Sequence, residues 1–499
     1  MKISLVCAPV TDVACDVLIV NEFEGVKHPG GATGAVDQAL GGEMTKLMTS
    51  GEMTGKLGET YPVRTYCKLK ANEVICVGLG KAEDFDYDKV RIVSDASIKA
   101  ARRSKAKKVA TIIHGAGIGG LDPKLAAQAV AEGSLIGEYK FKGYRTEKED
   151  NNDEIEELII VDYDPKKIKE IEPNIRAAEI IIDSVNKARD LVNSPSNKNT
   201  PSHLAEYAQE LAKEEKLEYK VMGRDDIKKK GMDALYNVAK GSDEEPKLFV
   251  LKYNGGGKDT YGLIGKGITF DSGGISIKPS SKLAEMKTDM AGAAVVMEVM
   301  RVIAKLKLKV NVIAVVPATE NMPGGHAYKP GDVIGSMSGK TIEIISTDAE
   351  GRLILADAIT YAKEQGATRI IDVATLTGGV RVALGDVAAA IMGNDQGLID
   401  KMISSSKATG EKIWQLPLYE EYKEYLKSDV ADIMNSTESG GKASSSVGGI
   451  FLQKFVDNTP WAHIDIAGTA YLEKKLGYLT NGATGFGVRL LSNFLISVQ

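Results

Sequence analysis

The feature that most restricts how this chain can fold is a group of acids placed among glycines where apolar runs end. Gly265-Lys266-Gly-Ile-Thr-Phe-Asp271 follows the apolar run 261–264, and Ser346-Thr-Asp348-Ala-Glu350-Gly-Arg352-Leu follows the run 342–345. Lys287-Thr-Asp289-Met-Ala-Gly lies between them. Short apolar runs bounded by glycine read as strands, so the acids fall at strand ends or in the turns just after them. Asp348 and Glu350 are two apart, and in an extended segment their side chains project to the same side.

If Asp271, Asp289, Asp348 and Glu350 converge, four ionised carboxylates in one partly dry pocket repel and raise one another's pKa values. Two divalent cations would cancel that charge. Carboxylate oxygens suit Mg, Mn and Zn, and two ions about 3.5–4 Å apart activate a bridging water for hydrolysis. The alternative is a set of unrelated helix caps and surface acids, the usual fate of Asp and Glu. The grouping among glycines and apolar strands favours convergence. Lys266, Lys278 and Arg352 stand close by in sequence.

These segments resemble the leucine aminopeptidase (cytosol aminopeptidase) family. Its octapeptide, Asn-Thr-Asp-Ala-Glu-Gly-Arg-Leu, is matched by residues 346–353 everywhere except Ser346. Residues 265–279 resemble the family's lysine- and aspartate-bearing loop. Residues 337–343, Ala374-Thr-Leu-Thr-Gly378 and Gly482-Ala-Thr-Gly-Phe-Gly-Val-Arg489 match as well, so the similarity spans about 190–499.

The resemblance implies a metal-dependent aminopeptidase that hydrolyses the N-terminal peptide bond of peptides, preferring leucine and other large apolar residues. It implies a hydroxide bridging two metal ions, Zn or Mn, with bicarbonate as general base. Asp271 and Glu350 would bridge both ions, Asp348 would complete the first site, and Lys266 and Asp289 the second. Lys278 would polarise the scissile carbonyl and Arg352 would hold the bicarbonate. Met286 and Thr375 would line the pocket for the first side chain. The expected partners are peptides with a free N-terminus and further copies of the chain in a homohexamer. Ser346 is not a ligand position. The physical chemistry is compatible: a lysine ligates only when neutral, which burial and a neighbouring divalent charge promote. Arginine is a poor base but a good forked clamp for a planar oxyanion.

Composition narrows the alternatives. A chain of 499 residues exceeds what one core usually supports, so two domains are expected. A net charge of −5 offers no basic surface for nucleic acid or an anionic membrane. No run of about 18 apolar residues predicts a membrane span. The first ten residues carry one lysine and a short apolar run broken by Thr11-Asp12, which reads as a first strand rather than a signal peptide. Four cysteines without Cys-x-x-Cys spacing read as reduced thiols of a cytoplasmic protein. Five histidines without His-Glu-x-x-His leave carboxylates as the available metal ligands.

The fold class is α/β: a smaller N-terminal α/β domain (1–170), a linking helix (171–193) and a larger catalytic α/β domain (194–499) with a mostly parallel or mixed sheet. Strands are expected at 3–6, 17–20, 73–77, 109–114 and 157–161, with helices at 87–104 and 123–139. Asp122 and Thr200 read as helix caps, each with a proline at the first helical position. In the second domain strands are expected at 219–222, 248–253, 261–264, 310–316, 369–374 and 461–465, with helices at 200–213, 292–306 and 353–365. Ligands of such a sheet lie at the carboxyl ends of its strands, where the acids fall.

Several stretches carry less. Gly115-Ala-Gly-Ile-Gly-Gly120 fits G-x-G-x-x-G, but Leu121 and Asp122 separate it from the next helix, so it reads as a plain glycine-rich connection. Gly335-Ser-Met-Ser-Gly-Lys-Thr341 is one residue short of a P-loop and leads into a strand. Residues 147–153 and 166–172 read as solvated loops, 438–449 as a flexible loop, and His114 and His463 as structural. A two-metal phosphatase could use the same acids, but few basic residues near them would clamp phosphate. A DNA-binding role runs against the acidic balance.

Overall fold

The computed structural model describes residues 1–117, 119–147, 154–437 and 441–499. Ile118, residues 148–153 of the charge-rich stretch, and residues 438–440 lie outside them. The chain forms two compact units: Met1–Asp183 with Lys475–Thr480, and Ser184–Lys474 with Asn481–Gln499.

In the first unit, β1 (Lys2–Cys7), β2 (Cys15–Glu22), β3 (Thr60–Arg64), β4 (Ala71–Gly78), β5 (Lys108–Thr111) and β6 (Glu157–Asp162) form a sheet in the order β1-β6-β5-β2-β4-β3. β3 runs antiparallel to β4, and the other neighbours run parallel. Alternation along β2 divides the core. Val17 and Ile19 pack with α3 (Tyr87–Arg103) and α4 (Pro123–Glu138), while Leu18 and Val20 pack with α1 (Gly31–Leu40) and α2 (Glu43–Ser50). Both faces are therefore covered, as a parallel sheet requires.

The polar stretch 166–172 is not a loop. It forms the first turns of α5 (Pro165–Asn193). Asp164 accepts the Lys166 amide at 2.9 Å, and Pro165 holds the first helical position, so the cap outweighs the surface charge.

The second unit contains α6 (Pro201–Glu215), β7 (Glu218–Met222), α7 (Arg224–Lys229), α8 (Asp233–Ala239), β8 (Lys247–Asn254), β9 (Thr260–Gly265), β10 (Gly267–Asp271), α9 (Ala291–Leu306) and β11 (Asn311–Asn321). It continues through β12 (Val333–Ile334), β13 (Ile342–Glu343), α10 (Gly351–Glu364), β14 (Arg369–Ala374), α11 (Gly378–Leu384), β15 (Ala389–Gly393), α12 (Gln396–Thr409), β16 (Ile413–Gln415), β17 (Ile433–Met434), α13 (Ser444–Val456), β18 (Trp461–Asp465) and α14 (Val488–Ser497). The main sheet runs β16-β15-β18-β14-β9-β11-β8-β7, with β10 added on β11. Its centre, β18-β14-β9-β11, is parallel, and β8 and β15 join antiparallel, so the sheet is mixed.

Ile264, Val315 and Ile370 pack against Leu353, Ile354 and Tyr361 of α10 and against Phe451 and Phe455 of α13. α9 meets the sheet at closer range. A Cβ on Gly292 would stand 2.1 Å from the Val373 carbonyl oxygen, so only glycine lets the helix start there. Residues 444–449, read from the sequence as part of a flexible loop, open α13; burial of its apolar side chains against α10 decides the conformation. Among the described residues, no helix is long and apolar enough to cross a membrane.

Candidate metal centre

The strand ends of the central sheet bring the acids together. Lys266 sits at the break between β9 and β10, its amide donating to the Val373 carbonyl on β14 at 3.1 Å. Asp271 closes β10, whose pairing with β11 shifts register between Ile268 and Asp271. Asp289 ends a 3-10 turn, Leu283–Thr288, just ahead of α9, and Glu350 is the N-cap of α10.

Carboxylate oxygens of Asp271, Asp348 and Glu350 lie within 4.8 Å of one another. The Lys266 ammonium is 2.7 Å from Asp289, 2.9 Å from Glu350 and 3.0 Å from the Thr375 carbonyl. Lys278 reaches Asp271 at 2.9 Å and Asp348 at 2.5 Å. Thr375 donates its hydroxyl to Asp289 at 2.7 Å. Lys266, Asp271, Lys278, Met286, Asp289, Asp348, Glu350 and Thr375 all line one cleft of about 220 Å³. Arg352 does not line it. It is buried, donating Nη1 to the Asn435 carbonyl at 2.8 Å.

Residues that the sequence reading passed over hold these acids in place. Thr347, fully buried, donates to the Gly273 carbonyl at 2.6 Å and accepts the Ser276 amide at 2.8 Å, while its own amide donates to Ser276 Oγ at 3.1 Å. It stitches the octapeptide to the loop after β10. Asn321, at the end of β11, donates to Asp271 at 2.8 Å and to the Thr347 carbonyl at 3.0 Å. A polar residue closing an apolar strand at the same sheet edge was the signal available for it. Asn435 accepts the Ile345 amide and donates to the Ser346 carbonyl. No sequence signal marks it. Ser346 itself accepts the Asp348 amide through Oγ at 3.2 Å, a local turn that an asparagine side chain can also make.

The electrostatics are those of a crowded acid site. Burial pushes the Glu350 carboxyl well above its ordinary range, and repulsion from Asp271 adds to this against the attraction of Lys266. Asp289 is raised in the same way, burial first, with Lys266 opposing. Burial would depress both lysines, but the surrounding carboxylates outweigh it: Asp289, Glu350 and Asp271 for Lys266, and Asp271, Glu350 and Asp348 for Lys278. Burial also lowers the Arg352 guanidinium to about 10.

This donor set fits divalent ions. Glu350 Oε2 is buried with no hydrogen-bond donor among the described residues, beside two further carboxylates with oxygens in reach. Hard carboxylate oxygens suit divalent ions such as Mg, Mn and Zn. Arg352 Nε likewise has no partner among the described residues. His463 is fully buried and donates from Nδ1 to Asp372 at 2.5 Å, which also accepts from Trp461 Nε1 at 2.6 Å; it is not among the residues lining the cleft.

Comparison with known proteins agrees with this geometry. Residues 186–492 match the model for the cytosol aminopeptidase family, catalytic domain, and residues 18–148 match that for its N-terminal domain. The chain is 42% identical over 501 residues to a probable cytosol aminopeptidase of Alkaliphilus oremlandii, covering 100% of both chains. It is 45% identical over 485 residues to one of Geobacter sp. (strain M21), covering 97% of both. Among solved structures, a tomato leucine aminopeptidase mutant aligns with a TM-score of 0.88 at 30% identity, over 100% of this chain and 96% of that one. The bottromycin maturation enzyme BotP in complex with Mn aligns with a TM-score of 0.85 at 32% identity, over 97% and 99% of the two chains. With both family domains matched in order and the acids of the octapeptide gathered at one sheet edge, the chain belongs to the cytosol aminopeptidase family and is a metal-dependent aminopeptidase.

Proposed function

We propose that the chain is a leucyl aminopeptidase working with two divalent ions and releasing large apolar residues, leucine foremost, from peptides with a free N-terminus. Asp271 and Glu350 would bridge the ions, Asp348 would complete one site, and Lys266 and Asp289 the other. The observation that carries this reading is the approach of the Asp271, Asp348 and Glu350 oxygens to within 4.8 Å of one another. When bound, such a pair supplies Lewis acidity and activates water.

The chain's own residues do the remaining work. Lys266 would hold an ion only as a free amine, so it would first have to lose the proton that the surrounding acids otherwise hold on it. Lys278 keeps its proton at neutral pH, because the carboxylates around it outweigh its burial. Its ammonium donates to the scissile carbonyl oxygen and stabilises the charge that develops there. Arg352 would hold bicarbonate on its unpartnered edge, and the chemistry this anion supplies is a proton acceptor. Met286, Leu376, Ala467 and Ala470 give the cleft apolar walls. At about 220 Å³ it is smaller than the ~300–1,000 Å³ of sites for drug-sized ligands, which suits one residue and the start of the next. The chain would act as a cytoplasmic homohexamer, as its family resemblance implies.

The test is hydrolysis of leucine-p-nitroanilide with Mn or Zn by the wild type and by Asp348→Ala and Glu350→Ala. Loss of activity in both variants is expected; undiminished activity in either ends the assignment. A panel of amino-acid amides tests the preference, which fails if leucine is not among the best substrates.

A further inference from the structure

The first unit has a cavity of its own, about 620 Å³, at the carboxyl ends of its parallel strands. The sheet order places β4 and β5 on either side of β2, so the direction of strand addition reverses at β2, the position where open α/β sheets bind ligands. Three features of the wall differ in chemistry. Phe23, Leu79, Ile112 and Ile113 make it apolar. Gly30 and Gly31 begin α1 with no side-chain cap, so the first amides and the positive end of this ten-residue helix face the cavity uncapped. The N-terminus of α4 differs, since Asp122 accepts from the amides of Lys124 and Leu125.

Glu22 is the third feature. It is 7% exposed, it lines the cavity, and its described hydrogen bond comes from its neighbour's amide, Phe23 N, at 3.0 Å. Among the described residues no cation pairs with it. Burial raises its pKa accordingly. A buried acid facing an open cavity with no counter-charge is a site for a ligand's donor. The glycine-rich turn, read from the sequence as a plain connection, also reaches the cavity at Gly115, Gly117 and Gly119, and a Cβ on Gly117 would meet nothing within 4 Å.

We propose that this cavity binds a nucleoside phosphate, with phosphate on the open amides of α1, the base against the apolar wall, and ribose hydroxyls donating to Glu22. A cavity of this size lies in the ~300–1,000 Å³ range of small-molecule sites, whereas a free amino acid has suitable charged ends but leaves much of the space unfilled.

The test is calorimetric titration of the full chain with ADP, 2′,3′-dideoxy-ADP, inorganic phosphate and leucine, with the unfolding midpoint of each variant measured as a check on folding. ADP is expected to bind saturably and the dideoxy analogue about tenfold more weakly. Glu22→Gln should bind both nucleotides alike, and Ala116→Trp, which fills the cavity, should bind neither. Absence of saturable ADP binding up to about 1 mM overturns the proposal. So do equal affinities of the wild type for the two nucleotides, phosphate binding as tightly as ADP, leucine binding as tightly as ADP that a folded Ala116→Trp abolishes, or wild-type ADP binding by a folded Ala116→Trp. If Ala116→Trp does not fold, the analogue and Glu22→Gln arms decide alone.

Discussion

Thr347 links the two acid-bearing segments, and its removal gives a graded prediction. Thr347→Val keeps the shape of the side chain but removes the hydroxyl, so the Gly273 carbonyl and the Ser276 amide lose their partners at 2.6 and 2.8 Å. Gly273 is buried and Ser276 half-buried. The first loss costs about 1–3 kcal/mol and the second, partly reachable by water, about 0.5–1.5 kcal/mol. The sum is roughly 1.5–4.5 kcal/mol, and at about 1.4 kcal/mol per decade that is a factor of ten to a thousand. Because Asp348 and Glu350 follow Thr347 by one and three residues, this energy falls on the alignment of these acids with Asp271. Ser276→Ala removes only the bond accepted from the Thr347 amide at 3.1 Å and should lose less. The assay is kcat/KM on leucine-p-nitroanilide together with metal affinity by competition with a chelator. Thr347→Val with wild-type metal affinity and wild-type kcat/KM, or a larger loss in Ser276→Ala, would refute the stitching role.

His114 is buried, accepting from Asn21 Nδ2 at 2.8 Å, and burial lowers its pKa to about 4 from 6.5. The unfolded chain therefore binds a proton that the folded chain refuses, so stability is fully present above about pH 6.5 and is lost as pH falls through about 4, by about 3 kcal/mol in all. Urea unfolding at pH 7 and pH 4 should show this fall, reduced in His114→Asn. Gly292→Ala should destabilise by about 1–3 kcal/mol and impair activity, because its Cβ meets the Val373 oxygen where α9 starts, three residues after Asp289; an unchanged melting temperature speaks against this packing. Met286→Trp, which narrows the cleft, should lower kcat/KM for leucine amide more than for alanine amide, and equal losses would remove Met286 from the side-chain pocket.

Asp271, Asp348 and Glu350 were legible because the chemistry of each and its position after an apolar run appear together in a few residues of local sequence. The residues that align them were not. Asn321 reaches Asp271 across 50 residues, and Asn435 reaches Ser346 across 89, so only the folded sheet edge reveals either. In the first unit α1, α2 and β3 escaped the reading: residues 31–50 mix glycine, alanine and threonine with little apolar periodicity, and β3 contains Pro62. The Asp164-Pro165 cap has the same form as Asp122-Pro123, yet the charge of 166–172 masked it. In α13, serines and glycines of weak helix propensity are carried by Phe451 and Phe455 packing in the core, where burial overrides local preference.

If acids from separate points of the chain share divalent ions, metal content per chain, measured by elemental analysis on the wild type and Glu350→Ala alongside activity, reports it most directly. Two divalent ions per active chain are predicted, with both content and activity falling in Glu350→Ala; full activity in protein stripped of divalent metal, or undiminished metal content in Glu350→Ala, would contradict it.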